Sequence, residues 1–246
     1  MRVVTKTIWL PKEGNTDEEY EDAASPRDPV DVVADSFKCA VADGATETSF
    51  SGLWAQLLVA GYIDDLEMAD LQKKWKESIS GKQLSWYAEE KAQSGAFATL
   101  IGLSVQDGKN GNGGTWESEA IGDSCLMHVR GSEVLSAFPL TKSEEFNSSP
   151  YLLSSNEQNN EKVADKFVTV GGEWLPGDNF YLLTDAIARW AFKRQEEYAD
   201  AAVWLSSMSD KDALAAFAEV QRHVVDSEMR PMMRNDDVTL MRISLE

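Results

Sequence analysis

Four aspartates stand at the ends of apolar runs scattered along the 246-residue chain. Asp43 follows Phe37-Lys38-Cys39-Ala40-Val41-Ala42, Asp123 follows Ser118-Glu119-Ala120-Ile121-Gly122, and Asp185 follows Phe180-Tyr181-Leu182-Leu183-Thr184. The pair Asp236-Asp237 immediately precedes the last apolar run. Aspartate is a poor strand former and costly to bury without a partner, so its place on the rim of apolar strands needs a cause. One cause is local: each caps the helix that follows or closes an Asx turn, and Asp185 suits the start of a helix. The other is collective: several carboxylates meet at one edge of the sheets, where hard divalent cations relieve their repulsion. All-oxygen, octahedral coordination selects Mg2+ or Mn2+ over zinc. Spacing alone leaves both causes open, because the candidates are spread over two hundred residues.

Few other residues could carry chemistry. Cys39 and Cys125 are the only cysteines, both inside apolar runs and in no CxxC pair, so they read as small core residues. His128 and His223 are the only histidines, and neither has the setting of a ligand or a triad base. Chemistry in this chain therefore runs on carboxylates. The formal charge of −19 disfavours nucleic acid and anionic membranes as partners, and it also fits a merely solvated acidic surface. No stretch approaches 18 apolar residues and nothing resembles a secretory leader, so a soluble cytoplasmic protein is the expectation. Seven of the eight tryptophans, Trp54, Trp75, Trp86, Trp116, Trp174, Trp190 and Trp204, are scattered and read mostly as core packing.

The elements that must position the aspartates follow from periodicity. Strands are predicted over Val3–Leu10, Ser36–Ala42, Ala96–Val105, Trp116–Ile121, Asp165–Val170, Phe180–Thr184 and Val238–Leu245. Leu126–Val129 and Glu133–Phe138 read as a hairpin turning at Arg130-Gly131-Ser132. Helices are predicted around Leu53–Tyr62, Leu66–Ile79 and Gln83–Gln93, and along Ala186–Val225. Pro11–Asp35 reads as an acidic loop, and Thr141–Lys162 as a long surface excursion of the kind that often serves function. The order predicts one α+β domain over 1–246, with two stacked, mostly antiparallel sheets flanked by helices.

In order and flanks these elements resemble the metal-dependent serine/threonine protein phosphatases of type 2C, in a compact, bacterial-like form. Tyr20-Glu21-Asp22-Ala23 resembles the Glu-Asp pair that opens the family, and Val41-Ala42-Asp43-Gly44 its strand ending in Asp-Gly. Ser94-Gly95-Ala96-Phe97-Ala98-Thr99 resembles its small-residue entry to a core strand, and Gly122-Asp123-Ser124 its Gly-Asp-Ser turn. Leu182-Leu183-Thr184-Asp185 and Asp236-Asp237-Val238-Thr239 resemble the last two motifs. Each motif is short; the specificity lies in six of them in family order from residue 20 to the last strand.

The resemblance implies an α-β-β-α sandwich and a binuclear Mg2+ or Mn2+ centre. Asp43 would bridge the two ions, the Gly44 carbonyl would complete one shell, and Asp185 and Asp236 would hold the second ion. Glu21 or Asp22 would bind through water, and Asp123 is counted with the metal-binding set. Hydroxide formed between two such ions would attack phosphorus in line, with the ions neutralising phosphoryl charge. The implied partner is a phosphorylated protein, the target of a kinase. Three positions depart from the pattern. Ala45 stands where eukaryotic members place a proton-donating His, Asp17 where they carry a phosphate-holding Arg, and Arg189 where many place an Asp for a third, looser ion. Arg189 is a candidate phosphate ligand in that ion's stead. These departures keep a second reading open, a catalytically weak or inactive module that binds a partner or a phosphorylated segment.

Overall fold

The computed structural model describes residues 1–46, 48–81, 92, 94–109, 111–146, 149–226 and 229–246. The helix expected over 83–93 falls, but for Ala92, outside them. The strands are β1 Arg2–Leu10, β2 Ala23–Ser25, β3 Val30–Val33, β4 Ser36–Ala42, β5 Phe97–Ala98, β6 Leu100–Asp107, β7 Gly114–Ile121, β8 Cys125–Arg130, β9 Glu133–Phe138, β10 Leu153–Ser154, β11 Val168–Trp174, β12 Asp178–Leu183 and β13 Val238–Leu245. The described helices are α1 Ser51–Asp64, α2 Met68–Ile79, α3 Glu157–Asn160, α4 Asp185–Tyr198, α5 Ala201–Ser207 and α6 Lys211–His223. None is long and apolar enough to cross a membrane.

Two antiparallel sheets face each other. One has the order β3-β1-β13-β12-β8-β9, the other β11-β7-β6-β4-β2, and β5 pairs β10 in a small third ladder. The two ends of the chain close the first sheet, since β1 pairs β13 from Val3↔Leu245 to Leu10↔Val238. Alternation along the central strands explains the layering. In β12, Phe180 and Leu182 point between the sheets, while Tyr181 and Leu183 point to the helices α4 to α6. In β4, Cys39 and Val41 join the inter-sheet core, and Ala40 and Ala42 lie under α1 and α2. Three apolar layers between four layers of structure result, an α-β-β-α sandwich. Both faces of the central strands are covered, which is why their sequences read as unbroken apolar runs. Each fully buried Phe, Leu or Ile there contributes roughly 1.5–3 kcal/mol of transfer free energy.

His128 belongs to this core. It is buried, stacked on Phe180 at 4.3 Å, edge-on to Trp116, and its Nε2 lies 2.8 Å from Asp178 Oδ2. Arg130 also holds Asp178, through a bidentate pair at 2.7 and 2.9 Å. Burial lowers the imidazole pKa, only partly offset by Asp178, so the ring packs as a neutral group. Both cysteines are fully buried, and Trp54, Trp75, Trp116, Trp174 and Trp190 are buried, whereas Trp204 is 38% exposed.

Three expectations change. The stretch Pro11–Asp35 holds β2 and β3, edge strands of three and four residues, too short for a periodicity to show. The strand expected at Asp165–Val170 runs instead over Val168–Trp174, its second half hidden by Gly171-Gly172. The helical stretch Ala186–Val225 is three helices, broken at left-handed Ala199 (φ 55°) and at Asp210, whose side chain caps α6 by accepting from Ala213 N at 2.8 Å.

Candidate metal centre

β4 delivers Asp43 to the sheet edge, and Gly44 follows where no larger residue fits. A Cβ on Gly44 would stand 2.5 Å from the Glu21 carbonyl oxygen, so the glycine lets the chain bearing Glu21 and Asp22 pass against the end of β4. Thr99 interrupts the strand between β5 and β6 to serve this point. Its N–H donates to the Asp43 carbonyl at 2.9 Å, its Oγ1 accepts from the Asp43 N–H at 3.1 Å, and it shares a 2.7 Å hydrogen bond with Ser124 Oγ. The small-residue motif and the Gly-Asp-Ser turn are thus fastened together. Gly122 takes φ +100°, and a Cβ there would meet Thr99 Cγ2 at 2.5 Å. That turn presents Asp123.

Asp185 opens α4, in the first turn after Thr184. The helix's free N–H groups favour a carboxylate there. Thr184 and Thr239 tie β12 to β13 beside it, the Thr239 N–H donating to Thr184 Oγ1 at 2.8 Å. Thr239 donates its hydroxyl proton to Asp22 Oδ2 at 2.7 Å, so in the short contact between Tyr20 Oη and Thr239 Oγ1 it is Tyr20 that donates. Asp22 is therefore buried and aimed by a threonine of the terminal motif.

Asp236 and Asp237 divide sharply. Asp237 is buried with both oxygens engaged, Oδ1 accepting from Lys12 N at 2.8 Å and Oδ2 from Glu21 N at 2.7 Å. It pins the two ends of the Lys12–Glu21 loop to the start of β13. Asp236 is half-buried and lines the cleft described next. Glu21 points elsewhere: its carboxylate accepts from the Ser51 hydroxyl and lines a neighbouring groove with Glu18, Ser51 and Gly52. Asp22 does not line that cleft either and borders a third concavity with Trp9, Tyr20 and Arg27. Of the two acids offered for the water-bridged position, it is nonetheless the one whose charge acts on Asp43, more strongly than any other.

Asp43, Asp123, Asp185 and Asp236 line one open cleft of about 610 Å3, and the Gly44 backbone lines it too. Burial pushes Asp43 and Asp22 well above the ordinary aspartate range; like charges add to it, those of Asp22, Asp185, Asp236 and Asp123 on Asp43. Asp185 is pushed up to about 7 by burial and then by Asp123 and Asp236, and Asp123 to about 6, chiefly by burial. Asp185 Oδ1 is buried without a hydrogen-bond partner. Among the described residues no three His, Cys, Asp or Glu side chains converge into a finished cage. The donor set is nonetheless all oxygen, mutually repelling and holds an unsatisfied buried carboxylate oxygen, and these properties fit hard divalent cations.

Arg189 is not among the residues lining this cleft. It lines an adjoining groove, and Arg234 lines both concavities, with Nη1 3.4 Å from Asp185 Oδ2. Lys12 is the second cation of the cleft; among the described residues its Nζ donates only to Thr46 Oγ1, at 3.4 Å. Sequence reasoning missed Lys12 and Arg234, which sit in no motif. Arg234 could have been suspected from its place two residues before Asp236. At the departed positions, Asp17 is held by Lys211 at 2.8 Å, with that ammonium 3.8 Å over the Trp9 ring, and Ala45 lines the cleft with a methyl group.

No family model matches the sequence, and no curated protein matches it. Solved structures do. The Mycobacterium tuberculosis serine/threonine phosphatase PstP/Ppp superimposes with a TM-score of 0.56 at 13% identity, covering 100% of both chains. This chain has the phosphatase 2C fold. The catalytic domain of PstP in complex with two manganese ions gives 0.53 at 16% identity over 99% of this chain and 100% of that one. RsbX in complex with magnesium gives 0.53 at 17% identity, over 100% and 96%. Within the phosphatase 2C fold, the cleft lies where the ends of β4 and β12, the β7–β8 turn and the start of β13 meet.

Proposed function

We propose that the protein is a metal-dependent phosphatase of phosphoserine and phosphothreonine in proteins, its 246 residues acting as one domain. The observation that carries this reading is the convergence of Asp43, Asp123, Asp185 and Asp236 on one cleft from four distant parts of the chain. Mn2+ or Mg2+ would be held by Asp43, the Gly44 carbonyl, Asp185 and Asp236, with Asp22 acting through water and Asp123 at the rim. Two such ions, when bound, supply an acidified water and neutralise phosphoryl charge. The chain's own groups do the rest. Asp43 is fixed by Thr99, Asp22 by Thr239, and Asp185 by the first turn of α4. Lys12 and Arg234 supply the positive charge in the cleft that a phosphoryl group requires in a molecule of charge −19. The likeness to structures holding two manganese ions and magnesium supports the choice of ions.

The test is hydrolysis of p-nitrophenyl phosphate with Mn2+, with EDTA, and in Asp43→Asn and Asp185→Asn. Turnover that needs Mn2+ and both aspartates is expected. Turnover indifferent to EDTA or to both substitutions removes the reading. The alternative, a phosphatase-like binding module, draws on Ala45 and on Asp17 being occupied by Lys211, which leave the cleft without the eukaryotic proton donor and phosphate arginine. Stabilisation by Mn2+ without turnover would favour it.

A further inference from the structure

Next to the carboxylate cleft lies a groove of about 430 Å3 lined, among the described residues, by four cations, Arg189, Lys193, Arg230 and Arg234, against a single acid, Glu144. The composition makes this unusual: the chain has 42 acidic residues to 23 basic ones. Arg189 and Lys193 stand at i and i+4 on α4, where like charges repel. Beneath them Asp226 takes Lys193 at 2.6 Å and Arg230 at 3.4 Å. Asp226 thus neutralises part of the groove. Among the described residues, Arg189 is half-buried with no hydrogen bond or ion pair. Burial and then the charges of Arg234 and Arg230 hold its pKa down, and the more weakly acting carboxylates of Asp226 and Asp185 offset this only in part. The opposite wall is Ser143 to Phe146, the start of the long excursion 141–162. Glu196 of α4 anchors it, accepting from Ser143 N at 2.7 Å and Ser143 Oγ at 2.6 Å.

We propose that this groove docks an anionic stretch of the substrate, a second phosphate or neighbouring Asp and Glu side chains, beside the phosphoresidue in the cleft. Arg234 borders both concavities, so one extended peptide reaches from one to the other at about 3.3–3.6 Å per residue. Guanidinium groups suit both kinds of anion. The proposal rests on the phosphatase reading, and it turns the phosphate-binding role expected of Arg189 into one outside the reacting centre.

The experiment uses the full chain with Mn2+ and three peptides: one phosphoserine among neutral residues, the same with Asp and Glu two to five positions away, and the same with a second phosphoserine. In the wild type, kcat/KM for an acidic or doubly phosphorylated peptide should exceed the neutral one about tenfold, through KM. The advantage should shrink in 0.5 M salt. Arg189→Glu should bring the ratio towards one. The two acidic arms tell a phosphate reader from a general acid reader. A wild-type ratio near one for both arms, or a ratio that Arg189→Glu leaves intact, overturns the groove while the phosphatase reading stands. If p-nitrophenyl phosphate and all peptides go unhydrolysed, the phosphatase reading fails instead. The groove is then judged by anisotropy with a fluorescent acidic peptide, where equal Kd for wild type and Arg189→Glu overturns it.

Discussion

At the scale of single residues, adjacent aspartates have opposite duties. Asp236 faces the cleft, while Asp237 spends both oxygens on backbone N–H groups of the loop that carries Glu21. Asp237→Ala leaves two donors without acceptors and should cost about 2–4 kcal/mol of unfolding free energy, read from urea denaturation. Asp236→Ala should leave stability within about 0.5 kcal/mol of wild type. If the two variants unfold alike, this division of labour is wrong. Thr239 aims Asp22 without itself facing the cleft, as an outer-shell partner does. Thr239→Val should weaken Mn2+ binding by about 10- to 100-fold, measured by calorimetry, with the fold intact by circular dichroism.

At the scale of elements, the site depends on how two sheet ends are locked together. Thr99 links the end of β4 to the β7–β8 turn, and Gly122 at φ +100° leaves room for it. Gly122→Ala should destabilise the protein by about 1–3 kcal/mol, from the left-handed backbone and the clash with Thr99. Because Thr99 also sets Asp43, the same variant should lose Mn2+-dependent turnover by more than its loss of folded protein explains. Turnover that falls only in step with the folded fraction would show that Thr99 merely packs.

For the whole molecule, gathered carboxylates make stability depend on pH and on cations. Asp185 (about 7) and Asp123 (about 6) bind protons more tightly in the folded chain than at the ordinary aspartate value of about 3.9. Their contribution to stability is therefore full below about pH 4 and is lost as pH rises through 6 and 7. In EDTA, the melting temperature should fall between pH 5 and pH 8, and Asp123→Asn with Asp185→Asn should flatten the fall. A slope unchanged by these substitutions would contradict the assignment. A Mn2+ concentration 100-fold over its Kd at pH 8 should restore about 2.7 kcal/mol there, roughly 5–10 °C, and the same concentration should restore less at pH 5.5, where protons compete for the carboxylates.

The order of the elements was enough to expect two stacked sheets flanked by helices, because strands buried on both faces must be apolar and a rim aspartate interrupts them visibly. It was the resemblance of the motifs that singled out Asp43, Asp123, Asp185 and Asp236, which line one cleft. Local sequence could not say which of Asp236 and Asp237 lines the cleft, or that Glu21 and Asp22 face two other concavities. Both members of each pair are acids one peptide apart, and their directions are set by Ser51, Thr239 and backbone donors from other strands. The short edge strands β2 and β3 were equally hidden, since three or four residues carry no period and their pairing comes from β4 and β1. Nor could it separate Arg189 from the cleft or place Lys12 and Arg234 inside it, because cations on long, flexible stems take their position from the surface the folded layers leave. Composition and periodicity determined the layers; the contacts between layers decided which side chains face the cleft.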